Sequence, residues 1–303
     1  MHIDVTPGKY VVAVSGGVDS VALLDILVNL NQGKSNSRRD YSLTIAHFDH
    51  GIRPDSAEDR RLVQAAAQKY GLPFVYDEGN LGTTVSEAAA RQSRYKFLRQ
   101  VRRASGAHAI ITAHHQDDLL ETAILNLLRG TGRKGLTSLA SRSDVVRPLL
   151  NVPKLELIAY AHDQGLVWRE DSTNQDQIYL RNYVRHRLLS RFDEASRERL
   201  LALILNLQAT NRELDELLTN QLHLQSVAGT IDRPWFNQLP HQIAREVMAT
   251  WLRVHQERGF DRRALERLVV QAKVAYPGQV FPLSGDRYLR INRENLALAK
   301  PER

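Results

Sequence analysis

Six consecutive residues near the N-terminus are of the types that bind phosphate. The two glycines lack a Cβ and can adopt positive φ, so backbone N–H groups can close on an anion. The serines add hydroxyl donors, and the aspartate can bind Mg²⁺ or cap the helix that follows. The pattern lacks the lysine of the G-x-x-x-x-G-K-S/T loop, which argues against an ordinary kinase or ATPase. These candidate nucleotide-binding residues are Ser15, Gly16, Gly17, Val18, Asp19 and Ser20.

A second set of polar residues follows a later predicted strand. His114, Asp118 and Glu121 are spaced i, i+4 and i+7, which places them on one face of a helix if that helix begins early enough. Asp118 and Asp19 would then bind Mg²⁺ beside a phosphate, and a neutral His114 could move a proton. A zinc site is the competing interpretation, but the H-E-x-x-H pattern is absent and the chain has no cysteine. We assign these three residues and Asp19 to a candidate catalytic site.

Basic residues elsewhere are candidates for contact with substrate or RNA. Arg94, which we also assign to the candidate catalytic site, lies on a predicted helix and could bind a phosphate or a carboxylate, with a solvent-facing arginine as the alternative. Arg181 and Arg185 are spaced i, i+4, and the ring of Tyr183 between them could stack on a base, although a plain basic helix is the alternative. His47, Asp49 and His50 at the end of one predicted strand are further candidates, with a structural turn capped by Asp49 as the alternative. The last candidates are Arg129, Arg133 and Lys134 in a glycine-rich loop, with a flexible surface loop as the alternative.

The charge distribution indicates an anionic partner. The chain of 303 residues has a formal net charge of +7. Residues 1–128 carry equal numbers of basic and acidic side chains, whereas basic residues exceed acidic ones by 11 to 6 over 129–191 and by 13 to 8 over 223–303. This placement predicts a nucleotide-binding domain of balanced charge flanked by two surfaces suited to RNA.

The chain contains no cysteine, which limits its chemistry. Disulfides, cysteine-ligated zinc, iron–sulfur clusters and thiol nucleophiles are excluded. The first nine residues include Asp4 and Pro7 and lack the apolar segment of a secretory signal. We therefore expect a cytoplasmic protein without a membrane-spanning helix.

Strand and helix patterns alternate over the first half of the chain. Short apolar runs such as residues 10–14 and 43–48 are each followed by a helical pattern, such as residues 18–30. This alternation predicts an α/β fold in which helices cover both faces of a parallel sheet and ligands bind beyond the carboxyl ends of the strands.

Helical patterns dominate the second half of the chain, beyond about residue 148. Residues 194–224 read as one long helix, and the residues after it mix helices with short strands. We predict a catalytic domain over residues 1–192, a helical connector over 193–224 and a small α+β domain over 225–303.

A series of motifs in one order over about residues 10–190 resembles the tRNA(Ile)-lysidine synthetases, which are N-type ATP pyrophosphatases of the PP-loop superfamily. The resemblance implies a PP-loop ATPase fold, like that of the adenine nucleotide alpha hydrolases, over residues 1–192. It also implies that residues 225–303 bind tRNA. The motifs are SGGVDS, HFDHGIR, ARQSRY, AHHQDDLLET, RGTGRKGL, RPLL, EDSTN and RNYVRHRL.

The resemblance also implies an ATP-dependent ligase. Members of the family attach free L-lysine to the wobble cytidine of the tRNA(Ile) whose anticodon is CAU, so that the tRNA reads AUA in place of AUG. ATP with Mg²⁺ adenylylates O2 of the cytosine, and the ε-amine of lysine then attacks C2 and releases AMP. By this resemblance residues 15–20 would bind the pyrophosphate, while Asp19, Asp118 and Glu121 would meet the metal or the lysine amines. The oligomeric state stays open, with a homodimer among the options.

Two other functions fit some of these features. A small-molecule adenylylating ligase of the same superfamily would use the same loop, but it would leave the basic surfaces unexplained. A catalytically inactive tRNA-binding protein would explain those surfaces, but it would not need an intact loop and acidic cluster. The tRNA thiolases of the superfamily generally need cysteines or a cluster, which this sequence cannot supply.

Overall fold

The computed structural model describes residues 3–33, 40–51, 56–79, 86–140, 144–169, 180–224, 229–257, 260–283 and 287–300. The chain forms two compact units, the first ending at Leu207 and the second beginning at Gln208. No helix in the described ranges is both long and apolar enough to cross a membrane.

The first unit contains a parallel sheet of five strands. They are β1 (Gly8–Ala13), β2 (Tyr41–Asp49), β3 (Phe74–Glu78), β4 (Ala109–Ile111) and β5 (Val145–Val146). Their order across the sheet is β3-β2-β1-β4-β5. The chain moves outward from β1 through β2 to β3 and then crosses to β4 on the opposite side of β1. The carboxyl ends of β1 and β4 therefore form the switch point at which open α/β sheets bind ligands.

Helices cover both faces of this sheet, which confirms the predicted α/β fold. The helices α1, α2 and α6 pack on one face, and α3 packs on the other, where Phe97 and Leu98 contact Val11 and Ile110 in the core. The helices are α1 (Val18–Asn31), α2 (Ser56–Tyr70), α3 (Glu87–Ser105), α4 (Gln116–Leu128), α5 (Arg133–Leu136), α6 (Lys154–Asp163) and α7 (Leu180–Tyr183).

Three short elements of the first unit differ from the sequence-based expectation. The strand β5 and the helix α5 are not predicted, because two and four residues are too few to produce a periodic pattern. The basic helix expected around Arg181 and Arg185 changes at Val184 into a π-helical turn over Val184–Leu188 and then a 3-10 turn over Leu189–Arg191. Such π-helical turns occur frequently at functional sites.

The carboxylate of Asp25 joins three helices of the first unit. Asp25 lies on α1 and is 6 % exposed. It accepts hydrogen bonds from Tyr70 on α2 at 2.7 Å, from Tyr160 on α6 at 2.6 Å and from Asn29 at 2.7 Å. Burial and the neighbouring carboxylate raise the pKa of both tyrosines, so the hydroxyls stay protonated as donors. This contact fixes α6 against α1.

A long helix, α8 (Glu194–Leu224), contributes residues to both units. Ile204 is buried in a core cluster of the first unit, whereas Leu218 and Leu222 belong to the core of the second. The region predicted as a connector is thus one helix, divided between the two units.

The second unit contains a four-stranded antiparallel sheet with the order β6-β9-β8-β7. Its strands are β6 (Ile231–Asp232), β7 (Val280–Pro282), β8 (Tyr288–Ile291) and β9 (Asn295–Ala299), and its helices are α9 (Arg233–Gln238), α10 (His241–Val254) and α11 (Arg262–Val274). Trp251 and Phe236 are fully buried in its core. Of these, β6, α9 and β9 are not predicted; β6 spans only two residues, and α9 is a short helix capped by Asp232.

We expect Asp25→Ala to lower the free energy of unfolding of the first unit by about 3 kcal/mol, because three partly buried donors lose this acceptor. Tyr160→Phe removes a single donor and should cost about 1 kcal/mol. The urea dependence of amide hydrogen exchange in α1 peptides measures both losses within the first unit. Equal losses for the two variants would show that Asp25 does not organise these helices.

Candidate active site

The loop after β1 wraps around the hydroxyl of Ser20. That oxygen accepts hydrogen bonds from the backbone N–H groups of Ser15 at 3.2 Å and Gly16 at 3.3 Å, and it donates to the carbonyl of Gly17 at 2.9 Å. Gly16 has a φ of 98°, a conformation that side chains with a Cβ rarely adopt. The next helix begins directly after Gly17, so the N–H groups of its first turn point toward the loop. This geometry suits an anion.

Asp19 lies in the first turn of α1 and is ionised. Its Oδ2 is 3.6 Å from Nε2 of His115 and 3.6 Å from Nζ of Lys154. Burial alone would raise the pKa of Asp19, but these two cations outweigh it and hold the pKa below its usual value. The other oxygen, Oδ1, is buried without a hydrogen-bond partner among the described residues.

His115 connects Asp19 to α4. It occupies the N-cap position of α4, and its backbone N–H donates to Oδ2 of Asp118 at 3.1 Å. Its ring is 2 % exposed, with Nε2 3.5 Å from the same Asp118 oxygen. Burial would lower the pKa of His115, but Asp19 and Asp118 raise it above its usual value. Sequence reasoning missed this residue, although its place directly before the first turn of α4 was a usable signal.

His114 precedes α4, so it does not share a helical face with the two acids. The helix begins at Gln116. Nδ1 of His114 lies 2.8 Å from Oγ1 of Thr112. Burial lowers the pKa of His114 to about 3, and nearby arginines add to the effect against the opposing charge of Asp118. The imidazole is therefore neutral at pH 7.

Glu121 is fully buried and paired with arginine. Both Nε and Nη2 of Arg185 donate to its carboxylate, the second at 3.1 Å, and Nη2 also lies 3.5 Å from Oδ1 of Asp118. Arg181 Nε is 3.7 Å from Oε2 of Glu121. Burial raises the pKa of Glu121 even though Arg185 opposes it. The two arginines predicted to face RNA are thus turned toward the acids of α4.

Arg94 belongs to a cluster of arginines around Tyr95. The guanidinium carbons of Arg91, Arg94 and Arg99 lie 4.9, 5.6 and 5.6 Å from the centre of the tyrosine ring. Nη2 of Arg147 is 3.4 Å from the tyrosine hydroxyl. Burial raises the pKa of Tyr95, but the charges of Arg91, Arg147 and Arg94 outweigh this effect and lower the pKa below its usual value. The same three arginines help to keep His114 neutral, which places this cationic cluster near the site.

The histidine–aspartate motif at the end of β2 makes structural contacts. His47 is 3 % exposed, its Nδ1 lies 2.9 Å from the carbonyl of Val14, and burial lowers its pKa. Asp49 accepts a hydrogen bond from the N–H of Gly51 at 2.8 Å, which is the capped turn given as the alternative. The ring of His50 packs edge-on against Phe48.

The basic loop after α4 is held by hydrogen bonds. Asn126 donates to the carbonyl of Gly135 at 2.7 Å, and Thr131 donates back to the carbonyl of Asn126 at 3.0 Å. Arg129 ends α4 and is exposed, while Arg133 and Lys134 lie in α5. The last two residues of the HFDHGIR motif (52–53) and the EDSTN motif (170–174) fall outside the described residues.

Within the described ranges, no three histidine, aspartate or glutamate side chains are grouped as a metal site. The two residues predicted to bind Mg²⁺, Asp19 and Asp118, instead flank the ring of His115. Mg²⁺ is commonly held by one or two carboxylates together with substrate phosphates, and the buried, unpartnered Oδ1 of Asp19 fits that donor set.

Comparison with known proteins supports one family. A model of the PP-loop domain matches residues 2–192. The tRNA(Ile)-lysidine synthase of Thermosynechococcus vestitus is 32% identical over 305 residues, which cover 97% of this chain and 87% of that protein. The tRNA(Ile)-lysidine synthase of Geobacter sulfurreducens is 41% identical over 194 residues, 60% of this chain. The matched region is 40% of that relative's length, so the chain spans well under half of it.

Among solved structures, the U34-tRNA thiolase NcsA from Methanococcus maripaludis resembles this chain with a TM-score of 0.53. The match covers 67% of this chain and 72% of the thiolase. At 16% sequence identity, this likeness supports the fold alone.

Removing Arg185 should destabilise the first unit strongly. We expect Arg185→Met to lower its free energy of unfolding by about 3–5 kcal/mol, because Glu121 is left buried without its main cation. The double variant Glu121→Leu, Arg185→Met should recover most of this loss, since neither charge then remains. The measurement is the urea dependence of hydrogen exchange in α4 peptides.

The matched control for this prediction is Arg197→Met. Arg197 pairs with Asp117 of the same helix at 3.1 Å, but both side chains are partly exposed. Its loss should therefore be only about 1 kcal/mol. Equal losses for Arg185→Met and Arg197→Met would contradict the assignment of a buried ion pair at Glu121.

Proposed function

Because the chain belongs to the tRNA(Ile)-lysidine synthase family of PP-loop proteins, we propose that it attaches free L-lysine to C2 of the wobble cytidine in the tRNA(Ile) with a CAU anticodon. The product, lysidine, changes the codon read from AUG to AUA. The main structural support is that His115 contacts both Asp19 of the SGGVDS loop and Asp118 of α4. The alignment with a tRNA(Ile)-lysidine synthase also covers 97% of this chain. The tRNA substrate places the proposed reaction in the cytoplasm.

In the first half-reaction, O2 of the cytosine attacks the α-phosphorus of ATP and pyrophosphate leaves. The N–H groups at the N-terminus of α1 would bind the phosphates, since they are oriented donors. The N–H groups of Ser15 and Gly16 would exchange the hydroxyl of Ser20 for a phosphate oxygen. Gly16 keeps the backbone in a conformation that lets the chain approach the phosphates closely.

Mg²⁺ would be held at the same place by Asp19 and Asp118. The low pKa of Asp19 keeps that carboxylate ionised, and its buried Oδ1 is the oxygen that a cation would complete. When bound there, Mg²⁺ supplies positive charge to the phosphates. Asp118 would have to exchange its contact with His115 for the metal.

In the second half-reaction, the ε-amine of lysine attacks C2 and AMP leaves with the former O2. The carboxylate of Asp118 would bind a lysine amine, and the fully buried Glu121 would act through Arg185, which contacts both acids. Arg94 would bind the AMP phosphate or the lysine carboxylate. Neutral His114 can accept a hydrogen bond from the attacking amine, which orients it. Because its pKa is about 3, His114 is a weak base, so the proton that the amine loses passes on to water.

The tRNA would contact the basic residues that follow α4. Arg129 is exposed and Arg133 and Lys134 lie on the adjoining short helix, where they can reach phosphate groups. The side chains of Arg181 and Arg185 are 32 % and 27 % exposed, so they can meet RNA while they orient the acids of α4. The basic excess of residues 223–303 supports a second tRNA contact there.

The decisive assay is incubation of the full chain with ATP, Mg²⁺, labelled lysine and tRNA(Ile) bearing CAU. We expect label in the tRNA and one AMP per lysine transferred. The tRNA(Met), which shares the anticodon, and a tRNA(Ile) with the wobble cytidine changed should remain unlabelled. Release of pyrophosphate without any tRNA would favour a small-molecule ligase, and tRNA binding without ATP turnover would favour an inactive RNA-binding protein.

Two neighbouring acids provide matched variants for that assay. Asp118→Asn should reduce lysine transfer at least about a hundredfold, because it removes a charge from the site. Asp117→Asn should stay within about threefold of the original chain, since Asp117 pairs with Arg197 outside the cluster. A similar loss in both variants would show that α4 contributes only general structure.

A further inference from the structure

The loop after β1 brings no positive charge of its own to the phosphate site. Its backbone N–H groups and the hydroxyls of Ser15 and Ser20 are neutral donors, and its one ionisable side chain, Asp19, is negative. A nucleoside triphosphate carries several negative charges, and phosphoryl-transfer sites compensate them with lysine, arginine or metal ions. A cationic side chain from another part of the chain would supply the positive charge that the loop lacks.

Two cationic side chains contact Asp19, and they differ in freedom. The ring of His115 is 2 % exposed and lies between two carboxylates, which fixes its position. Lys154 carries its ammonium group on a flexible four-carbon stem, and 33 % of its side chain is exposed. Lys154 can therefore turn toward a bound anion while His115 stays in contact with Asp19.

The backbone that carries Lys154 is held in place from both sides. Before it, the carbonyl of Val152 accepts a hydrogen bond from the N–H of Gln116, the first residue of α4, at 3.0 Å. After it, Tyr160 of α6 donates to Asp25 of α1 at 2.6 Å. The first residue of α6 is thus fixed beside the N-termini of α1 and α4, with only the side chain free to move.

We propose that Lys154 is a phosphate-binding residue, whose ammonium moves from Asp19 to the β- and γ-phosphates of bound ATP. Without nucleotide, the same ammonium neutralises Asp19. With nucleotide bound, Asp19 would bind the metal ion. Lys154 would then bind the phosphates as the lysine of a G-x-x-x-x-G-K-S/T loop does. The assignment rests on the proposed ATP-dependent function and adds a residue to it.

The chemical step requires no proton transfer by Lys154. A bond forms between O2 of the cytosine and the α-phosphorus, and the bond from that phosphorus to the oxygen bridging to the β-phosphorus breaks. The electron pair of the broken bond leaves with pyrophosphate, so negative charge grows where the ammonium lies. Lys154 keeps its three protons and stabilises the leaving group by charge.

The test measures nucleotide affinity by titration calorimetry at fixed Mg²⁺, with an ATP analogue that cannot be cleaved between the α- and β-phosphates. We expect Lys154→Met to weaken binding of the analogue about 10- to 100-fold, the range of one hydrogen bond to a charged group. Binding of AMP should change less than about twofold, because AMP has no β- or γ-phosphate. Lys154→Arg should restore most of the analogue affinity.

Lys96→Met is the matched control, since Lys96 is exposed on α3 in the same unit. It should leave both affinities as they are in the unchanged protein. If Lys154→Met weakens the binding of the analogue and of AMP equally, Lys154 only positions Asp19. If the affinity for the analogue is unchanged in Lys154→Met, Lys154 does not bind the phosphates. If the unchanged protein transfers lysine but Lys154→Met binds the analogue normally, only this inference fails. If the unchanged protein does not bind the analogue, the proposed function fails with it.

Discussion

The carboxylate of Asp19 is the group on which the site depends. Burial opposes its ionisation, and His115 and Lys154, two cations from distant parts of the chain, reverse that effect. A buried carboxylate without a cation is costly, so the loop after β1 and the first residues of α4 and α6 stabilise one another only when all three come together. The hydrogen bonds of Asp25 support the same arrangement by fixing α6 against α1. The phosphate loop is therefore one part of a charge-paired assembly.

Opposite charges are separated around this assembly. Asp118 and Glu121 lie on α4 with Arg185 as their partner, whereas the arginines around Tyr95 form a cationic region that keeps His114 neutral. The proposed reaction uses both a polyanionic nucleotide and a cationic amine, so it needs both kinds of surface in one place. The switch point of the parallel sheet provides that place, because the carboxyl ends of β1 and β4 are adjacent.

The sequence predicts those parts of the site that depend on local pattern. The α/β alternation and the presence of a helix that carries Asp118 and Glu121 follow from periodicity, because neighbouring residues set them. The ion pairs of His115, Lys154 and Arg185 were not predictable in this way, since each joins segments that only the packed fold brings together. The spacing of His114 from Asp118 and Glu121 matches a helix and favours it over His115, but the N-cap of α4 is His115.

In the proposed reaction, this site transfers the adenylyl group of ATP to O2 of the wobble cytidine before lysine reacts. The most direct measurement uses ATP labelled at the α-phosphate, with Mg²⁺ and the CAU tRNA(Ile) but without lysine, in a rapid quench. We expect label on the tRNA at the wobble cytidine, and we expect added lysine to release that label as AMP. Label that reaches AMP at the same rate without tRNA, or that appears only in ADP, would contradict this expectation.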